Sequence, residues 1–302
     1  MTEQQLGFVG LGSIGFPIMG HLVKSGLRVH VFDIDPGAVD RAAQLGAIKR
    51  TSAKEVADYA DTVFVCLPTP EAAQAAVLDK DGIIEGAQIK SYIDHSTVGP
   101  AKAREICERL RSRKISVLDA PIAGGVAGAQ AGELSVIIAG SQQAFDDAKP
   151  LIDRYAKKTL YIGSEPGQAQ IIKLINNMIV CVDLMASAEA VLFGVRCGLS
   201  AATVLNTLNE CTARSFATER LLTHFVLNRD FSSGFKLDLM RKDLRLCLEE
   251  ANLVAAPMFL CGSTKQYFDA GVAQGAGARD VTEVVCGLEK LAMAEIAQDN
   301  SR

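Results

Sequence analysis

The 302-residue sequence has no tryptophan, only 6% aromatic residues and just four histidines. The histidines, at positions 21, 30, 95 and 224, have no metal-ligand spacing, so no zinc site is predicted. The sequence also lacks a basic run, and its formal net charge is −4. This mild acidity gives no electrostatic footprint for nucleic acid or for an anionic membrane surface, so neither is expected as a partner.

Features of secreted and membrane proteins are also missing. The eight cysteines show no Cys-x-x-Cys spacing and mostly lie in apolar runs, which indicates buried thiols in a reducing cytoplasm. The first five residues lack the charged-then-apolar layout of a signal peptide, so no export is expected. The longest apolar region, Ile171 to Val195, contains Lys, Asn, Asp and Glu residues and is therefore predicted to be a buried helix rather than a membrane span.

What is present in the first half is an alternation of β-branched runs and helical periodicity, which predicts an α/β fold with a Rossmann-type, doubly wound parallel sheet. The predicted strands are Leu6 to Gly10, Arg28 to Asp33, Thr62 to Leu67, Ser91 to Asp94, Ile115 to Asp119 and Leu134 to Ala139, with Thr159 to Ile162 as a further candidate. The predicted helices are Ile14 to Ser25, Pro36 to Leu45, Glu71 to Leu78, Ala101 to Arg113 and Gln142 to Tyr155.

From Gln168 onwards the pattern is helical throughout, without a convincing period-2 strand. A first long helix from Gln168 to Cys197 would extend ~45 Å at ~1.5 Å per residue, long enough to leave one domain and form the core of the next. We therefore predict a nucleotide-binding domain over residues 1–164 and an all-helical domain over residues 165–302.

A Gly-x-Gly-x-x-Gly run follows the first strand and opens the first helix. In such a run Gly10 makes the tight turn, Gly12 lets the backbone approach a pyrophosphate, and Gly15 lets the helix lie close to the strand. The N–H groups of Ser13 and Ile14 at the helix start would then meet the phosphates.

An acidic residue at the end of the second strand completes this pattern. Asp33 comes eighteen residues after Gly15, the position at which a carboxylate accepts the adenosine ribose hydroxyls. Capping of the next helix is assigned to Asp35, which precedes Pro36, so Asp33 is left for the ribose. A 2′-phosphate would be repelled by this carboxylate, and residues 34–36 include no Arg or Lys, so NAD is predicted rather than NADP.

Six motifs in order resemble the β-hydroxyacid dehydrogenase family, which includes 3-hydroxyisobutyrate dehydrogenase and tartronate semialdehyde reductase. The resemblance covers nearly the whole chain. The motifs are Gly10 to Pro17, Leu67-Pro68, Asp94 to Pro100, Asp119 to Gly125, Lys173 to Asn177, and Lys242-Asp243-Leu244.

The resemblance implies hydride transfer between NAD and a short 3-hydroxy acid or its semialdehyde, with Lys173 as the catalytic lysine. An ammonium group near the reacting oxygen can stabilise its charge and exchange a proton with it. The isoleucines around Lys173 predict burial, between the two predicted domains, that lowers its pKa. Asn177, four residues further on, would share a helix face with Lys173 and orient the lysine or the substrate oxygen.

The resemblance also assigns a substrate loop and further cofactor contacts. The backbone N–H groups of Gly124 and Gly125 would bind the carboxylate of a small acid, although Ala123 stands where the family usually has serine. Leu67, Pro68 and Thr97 resemble contacts to the nicotinamide ribose and its phosphate, and Lys242 resembles the lysine that closes over the cofactor or substrate. For Lys242 the alternative is a solvent-facing lysine paired with Asp238 or Glu249.

Two other functions stay open at this stage. The missing loop serine would also fit a non-catalytic NAD-binding interaction module, and the related 6-phosphogluconate dehydrogenases perform oxidative decarboxylation. The family resemblance further implies a homodimer or homotetramer.

Overall fold

The structure, a computed structural model, describes residues 4–298. The chain forms two compact units, Met1–Lys173 and Leu174–Arg302. The division falls inside a long helix, nine residues after the boundary at 164 that the composition predicts. The first six residues of this helix therefore belong to the first unit.

The first unit consists of a sheet with helices along the connections. The strands are β1 (Gln5–Val9), β2 (Arg28–Phe32), β3 (Ile48–Lys49), β4 (Thr62–Val65), β5 (Ser91–Asp94), β6 (Ser116–Asp119), β7 (Ile122–Ala123), β8 (Leu134–Gly140) and β9 (Ala156–Gly163). The helices are α1 (Gly15–Lys24), α2 (Pro36–Gln44), α3 (Ala53–Tyr59), α4 (Pro70–Leu78), α5 (Pro100–Ser112), α6 (Gly125–Ala131) and α7 (Gln142–Ile152).

The predicted Rossmann-type α/β fold is confirmed, but the sheet is mixed rather than wholly parallel. Its order is β3-β2-β1-β4-β5-β6-β8-β7, with β9 paired to β8. The strands from β3 to β6 are parallel, whereas β8 runs antiparallel to both β6 and β7. The strand order reverses between β1 and β4, with β2 on one side and β5 on the other. Ligands of doubly wound sheets bind at this topological switch point.

Helices cover both faces of this sheet because alternate strand residues point in opposite directions. On one face Phe8 and Phe64 belong to a buried cluster that includes residues of α1, α2 and α7. On the other face Val9 and Val65 belong to a cluster with residues of α3, α4 and α5. Burial on both faces explains why the central strands are continuous apolar runs.

The second unit is helical, as predicted. It contains the helices α8 (Gln168–Arg196, from its Leu174 onwards), α9 (Ala201–Glu210), α10 (Leu237–Leu253), α11 (Phe259–Ala273) and α12 (Val285–Ala292), and a π-helix at Ala217–Val226. One apolar cluster, with Leu184, Leu222, Leu244 and Phe268 among its members, forms its core.

Helix α8 is long and apolar enough to cross a membrane by length and composition, contrary to the expectation from its polar residues. Its side chains at Leu174, Cys181, Leu184 and Ala188 nevertheless belong to the core of the second unit. Their spacing of seven, three and four residues is that of a helix with one face buried in protein. The expectation that the cysteines are buried is wrong for two of them, since Cys197 and Cys211 are exposed.

Candidate functional site

The glycine run forms the turn between β1 and α1. A side chain at Gly10 would place its Cβ 2.3 Å from the carbonyl oxygen of Cys66, and one at Gly15 would place it 2.0 Å from the carbonyl oxygen of Gly10. Both glycines are therefore required for close backbone approach. A Cβ at Gly12, in contrast, would meet no heavy atom within 4 Å of the described residues.

The start of α1 has the properties of an anion-binding helix end. Its N-cap residue, Ile14, makes no side-chain cap, and the first turn carries no acidic residue among those the structure describes. The N–H groups of a first helical turn point outward and carry partial positive charge. With the open space at Gly12, this helix end offers the access and the partial positive charge that a pyrophosphate requires.

Asp33 closes the loop beside this cradle. Its Oδ2 accepts a hydrogen bond from the backbone N–H of Leu11 at 2.6 Å, and its Oδ1 accepts one from the N–H of Asp35 at 2.8 Å. Each carboxylate oxygen can accept about two hydrogen bonds, so sites for two ribose hydroxyls are still available. The predicted cap of α2 is confirmed, because Asp35 Oδ1 accepts from Gly37 N at 2.9 Å.

An open groove of about 820 Å³ runs along this edge of the first unit. Gly12, Ser13 and Asp33 line it, so the structure brings together three of the predicted cofactor residues. Sequence reasoning did not include two basic residues of the groove, Lys24 and Arg41. The guanidinium of Arg41 lies 3.7 Å from the exposed carboxylate of Asp35.

The remaining predicted cofactor residues of this unit follow the neighbouring strands β4 and β5. The N–H of Leu67 donates to Ser96 Oγ at 2.9 Å, and the Leu67 side chain lies against Gly10. Pro68 is exposed and Thr97 is half-buried. Since the carboxyl ends of adjacent parallel strands meet at one edge of the sheet, these residues share an edge with the glycine run.

A buried amide links this edge to the start of α8. Gln170 is 0% exposed, and its Oε1 accepts from the N–H groups of Val98 and Gly99 at 2.9 and 3.1 Å. Its Nε2 donates to the Ser96 carbonyl oxygen at 3.0 Å and to Asp119 Oδ1 at 2.6 Å. All four hydrogen-bonding sites of the amide are thereby satisfied.

The Asp119 carboxylate holds the same helix end from the other side. Its Oδ2 accepts from the N–H groups of Gly167 and Gln170, at 3.0 and 3.2 Å. Burial raises the pKa of the Asp119 carboxyl to about 7; the hydrogen bond from the Gln170 amide opposes the rise, and the nearby Asp94 carboxylate adds to it. Sequence reasoning assigned no role to Gln170, although a glutamine between Ala169 and Ile171 is a polar residue in an apolar run.

Lys173 lies one turn after Gln170 on α8 and is half-buried. The expected apolar burial around it is not what the single chain shows, because Ile171, Ile172 and Ile175 are 43, 39 and 41% exposed. The buried face of the helix instead carries Gln170 and Leu174. Spacing of three to four residues places those two on one side and the isoleucines on the others.

Asn177 belongs to a polar network within the second unit. Its Nδ2 donates to Asp243 Oδ2 at 2.6 Å, and Asn176 Nδ2 donates to Asn177 Oδ1 at 3.0 Å. Asp243 is buried, and its Oδ1 lies 3.2 Å from Lys242 Nζ. The structure thus joins two predicted residues, Asn177 and Lys242, through a carboxylate to which sequence reasoning gave no role.

The alternative for Lys242, a solvent-facing lysine paired with Asp238 or Glu249, is wrong. The side chain of Lys242 is only 12% exposed. Asp238 pairs with Arg241, and Glu249 pairs with Arg245.

The predicted substrate loop lies between β6 and α6. Ala123 is half-buried in the short strand β7, whereas Gly124 and Gly125 are exposed. Both glycines have positive φ angles, 129° and 64°, so the turn requires residues without a side chain. A Cβ at Gly125 would meet no heavy atom within 4 Å in the described part of the chain.

His95, the residue after β5, lies in the interior and is 2% exposed. Its Nδ1 is 2.6 Å from the carbonyl oxygen of Ala120, and its Nε2 is 2.8 Å from the hydroxyl of Tyr155. Burial lowers its pKa to about 4. Over residues 4–298, no group of three or more His, Cys, Asp or Glu side chains is placed to hold a metal ion.

Comparison with known families gives two matches that together span most of the chain. The family described as the NAD binding domain of 6-phosphogluconate dehydrogenase matches residues 5–163. The family described as NAD-binding of NADP-dependent 3-hydroxyisobutyrate dehydrogenase matches residues 167–288.

Individual relatives agree with these matches. The NAD-dependent L-serine dehydrogenase of Pseudomonas aeruginosa is 32% identical over 288 residues, which cover 93% of this chain and 96% of that protein. The 3-hydroxyisobutyrate dehydrogenase of the same organism is 32% identical over 263 residues, covering 85% and 87%. A solved structure of the Mycobacterium tuberculosis 3-hydroxyisobutyrate dehydrogenase with L-serine superposes with a TM-score of 0.85 at 30% identity, covering 95% of this chain and 99% of that one.

Proposed function

Because this chain belongs to the β-hydroxyacid dehydrogenase family, it is a nicotinamide-dependent oxidoreductase of hydroxy acids, and we propose that it uses NAD with Lys173 as the general acid and base. The observation that carries the proposal is the arrangement at the carboxyl edge of the first unit. There, the start of α8, three residues before Lys173, is hydrogen-bonded to the loop that contains Thr97.

The cofactor half of the proposal rests on the glycine turn and Asp33. The uncapped start of α1 and the open space at Gly12 suit a pyrophosphate, and the free acceptor sites of Asp33 suit ribose hydroxyls. The Asp33 carboxylate would repel a 2′-phosphate. These observations favour NAD over NADP.

When bound, the nicotinamide ring supplies the acceptor or donor of the hydride. The Lys173 ammonium group would donate a proton to the substrate oxygen during reduction, and the neutral amine would remove one during oxidation. Asn177, four residues further along α8, would hold the substrate oxygen or the lysine through its amide. Lys242 would complete the contacts to the cofactor or substrate.

The proposed substrate is a short 3-hydroxy acid, which carries its hydroxyl group on the carbon β to the carboxylate, or the corresponding semialdehyde. The backbone N–H groups of Gly124 and Gly125 would bind the carboxylate. Since Ala123 offers no hydroxyl donor, we expect weaker carboxylate binding than a serine would give and more room for a less polar acid. The relatives named for L-serine and 3-hydroxyisobutyrate provide the first compounds to test.

We also propose a cytoplasmic homodimer or homotetramer. Ile171, Ile172, Ile175 and Ile179 of α8 are 39–49% exposed in the single chain, and Phe259 of α11 is 84% exposed. Several exposed apolar side chains on one helix, such as the four isoleucines of α8, are typical of a surface that a second subunit covers. A molecular mass of 32.1 kDa in sedimentation velocity would contradict this.

Lys173→Ala tests the catalytic assignment. We expect turnover to fall by at least ~10³-fold, because proton transfer and charge stabilisation on the substrate oxygen are both lost. NADH binding, measured by fluorescence titration, should be unchanged. Lys149→Ala, which removes an exposed lysine of α7 paired with Asp153, is the matched control. Turnover by Lys173→Ala at the wild-type rate would show that another group performs the chemistry.

A panel of short hydroxy acids with NAD separates this function from its alternatives. An interaction module would produce no NADH with any acid. An oxidative decarboxylase would release one CO₂ for each NADH, whereas the proposed reaction leaves the carboxylate in the product.

A further inference from the structure

The hydrogen bonds of Gln170 connect two parts of the first unit that the proposed reaction needs at a fixed spacing. One part is the segment from Ser96 to Gly99, which contains Thr97. The other is the first turn of α8, which continues to Lys173. Because all four sites of the amide are used, a shift of either part breaks at least one buried hydrogen bond.

The partners also fix which way the amide faces. Val98 and Gly99 present N–H donors, so the atom facing them must be the oxygen. The carbonyl of Ser96 and the carboxylate of Asp119 are acceptors, so the other atom must be the nitrogen. No other uncharged side chain of this length offers the same two acceptor and two donor sites in this order.

We propose that Gln170 is a positioning residue, which sets the reach of Lys173 by fixing the start of α8 to the Ser96–Gly99 segment. The inference rests on the proposed function of Lys173. The proposed role requires no contact between Gln170 and the substrate or cofactor. A purely structural residue would leave turnover unchanged in fully folded protein, whereas a positioning residue predicts that turnover is lost.

Gln170→Leu removes every hydrogen bond of the amide while nearly keeping its volume. A misplacement of about 1 Å at a reacting group can cost ~100-fold in rate, so we expect kcat to fall by about 10- to 100-fold. The KM for the hydroxy acid that wild type oxidises fastest should stay within about three-fold, because the substrate contacts themselves are kept. Gln168→Leu is the matched control, since Gln168 lies on the same turn and its amide oxygen accepts a single bond from Glu165 N at 3.3 Å.

Gln170→Glu provides a readout that a structural role would not move. The introduced oxygen would face Asp119 Oδ1, and two carboxylates at that distance retain one proton between them. The bound proton restores the missing donor. The ratio of the variant's kcat to that of wild type should therefore rise as the pH is lowered from about 9 to about 6. The titratable groups that act on Asp119 include Asp94 and Tyr92 of β5 and Cys107 of α5, and the Arg104 guanidinium lies beside Gly167, whose N–H donates to Asp119; all of these are the same in both proteins.

Each kcat is measured below the unfolding transition and divided by the folded fraction from circular dichroism. A lowered kcat in Gln170→Leu with an unchanged control, and a pH-dependent ratio in Gln170→Glu, support the proposal. Wild-type kcat in folded Gln170→Leu overturns it; if that variant does not fold, a flat ratio in Gln170→Glu overturns it. If wild type oxidises no hydroxy acid, the proposed function fails instead, so the two failures are distinguishable.

Discussion

Gly12→Ala separates the demands of the fold from those of the cofactor. The ideal Cβ at this position meets no heavy atom within 4 Å in the described chain, and the φ angle of Gly12 is not in the left-handed region. The added methyl group should therefore fit the protein without strain. Loss of conformational freedom in the unfolded chain should even increase the free energy of unfolding by about 0.4–1 kcal/mol.

The same methyl group occupies the space in which the pyrophosphate is expected. Displacing a phosphate from the N–H groups of α1 weakens the charge-assisted hydrogen bonds there, each of which contributes about 1.5–3 kcal/mol. Loss of one such bond corresponds to a roughly 10- to 100-fold increase in the Kd for NADH. We expect this increase together with unchanged or slightly raised stability.

The assay pairs calorimetric titration with NADH and urea unfolding followed by circular dichroism. Gly262→Ala is the control, because Gly262 lies in α11 of the second unit and its Cβ would meet no heavy atom of residues 4–298 within 4 Å. It should raise stability by about 1 kcal/mol, as alanine does in a helix, and leave NADH binding unchanged. Wild-type affinity for NADH in Gly12→Ala would refute the placement of the phosphates.

Two further predictions concern single side chains of the first unit. Asp33→Asn should reduce kcat/KM for NAD about 10-fold or more, since the charge that favours the ribose hydroxyls is lost. The ratio of kcat/KM for NAD to kcat/KM for NADP should fall as well. An unchanged ratio in steady-state assays would contradict the assignment. His95→Gln should flatten the pH dependence of stability: His95 has a pKa of about 4 when folded and ~6.5 when unfolded, so its contribution is present above pH ~6.5 and up to about 3 kcal/mol is lost as pH falls toward 4. The free energy of unfolding, measured at each pH by urea unfolding followed by tyrosine emission, would change with pH equally in the variant and in wild type if this reasoning is wrong.

The sequence predicts the regular parts of the fold well because their signals are local. The limits of α8, Gln168–Arg196, differ from the prediction by one residue, since Gly167 and Gly198 punctuate a long helical period. Short elements were missed where burial, not length, stabilises them. Helix α3 has seven residues, although Ser52 and Glu55 form a recognisable capping pair at its start.

The direction of the outer strands was not predictable in this way. Strand β7 has two residues and exists because Ile122 and Ala123 pair with β8. Nothing in the period-2 pattern of Leu134–Gly140 distinguishes an antiparallel neighbour from a parallel one. A parallel sheet was therefore predicted throughout, whereas long-range pairing makes the part beyond β6 antiparallel.

The residues of the candidate site likewise fall into those that a local sequence pattern predicts and those that only long-range contacts reveal. The glycine run and Asp33 are recognised by their spacing in the sequence, and the structure places Gly12 and Asp33 on one groove. Gln170 and Asp243 carry theirs in partners 51 to 74 residues away, which no local pattern reveals.

The structure also changes the physical basis for Lys173 as the proposed proton donor and acceptor. Apolar burial by its isoleucine neighbours is not observed in the single chain. What the structure offers instead is a helix with a buried, hydrogen-bonded amide on each side of the lysine, Gln170 bonded within the first unit and Asn177 within the second. The hydrogen bonds of Gln170, three residues before Lys173, hold the backbone of α8 on that side of the lysine within the first unit. In the proposed reaction, placement of the amine by the hydrogen bonds of Gln170, more than desolvation by its sequence neighbours, would let Lys173 exchange a proton with a substrate oxygen.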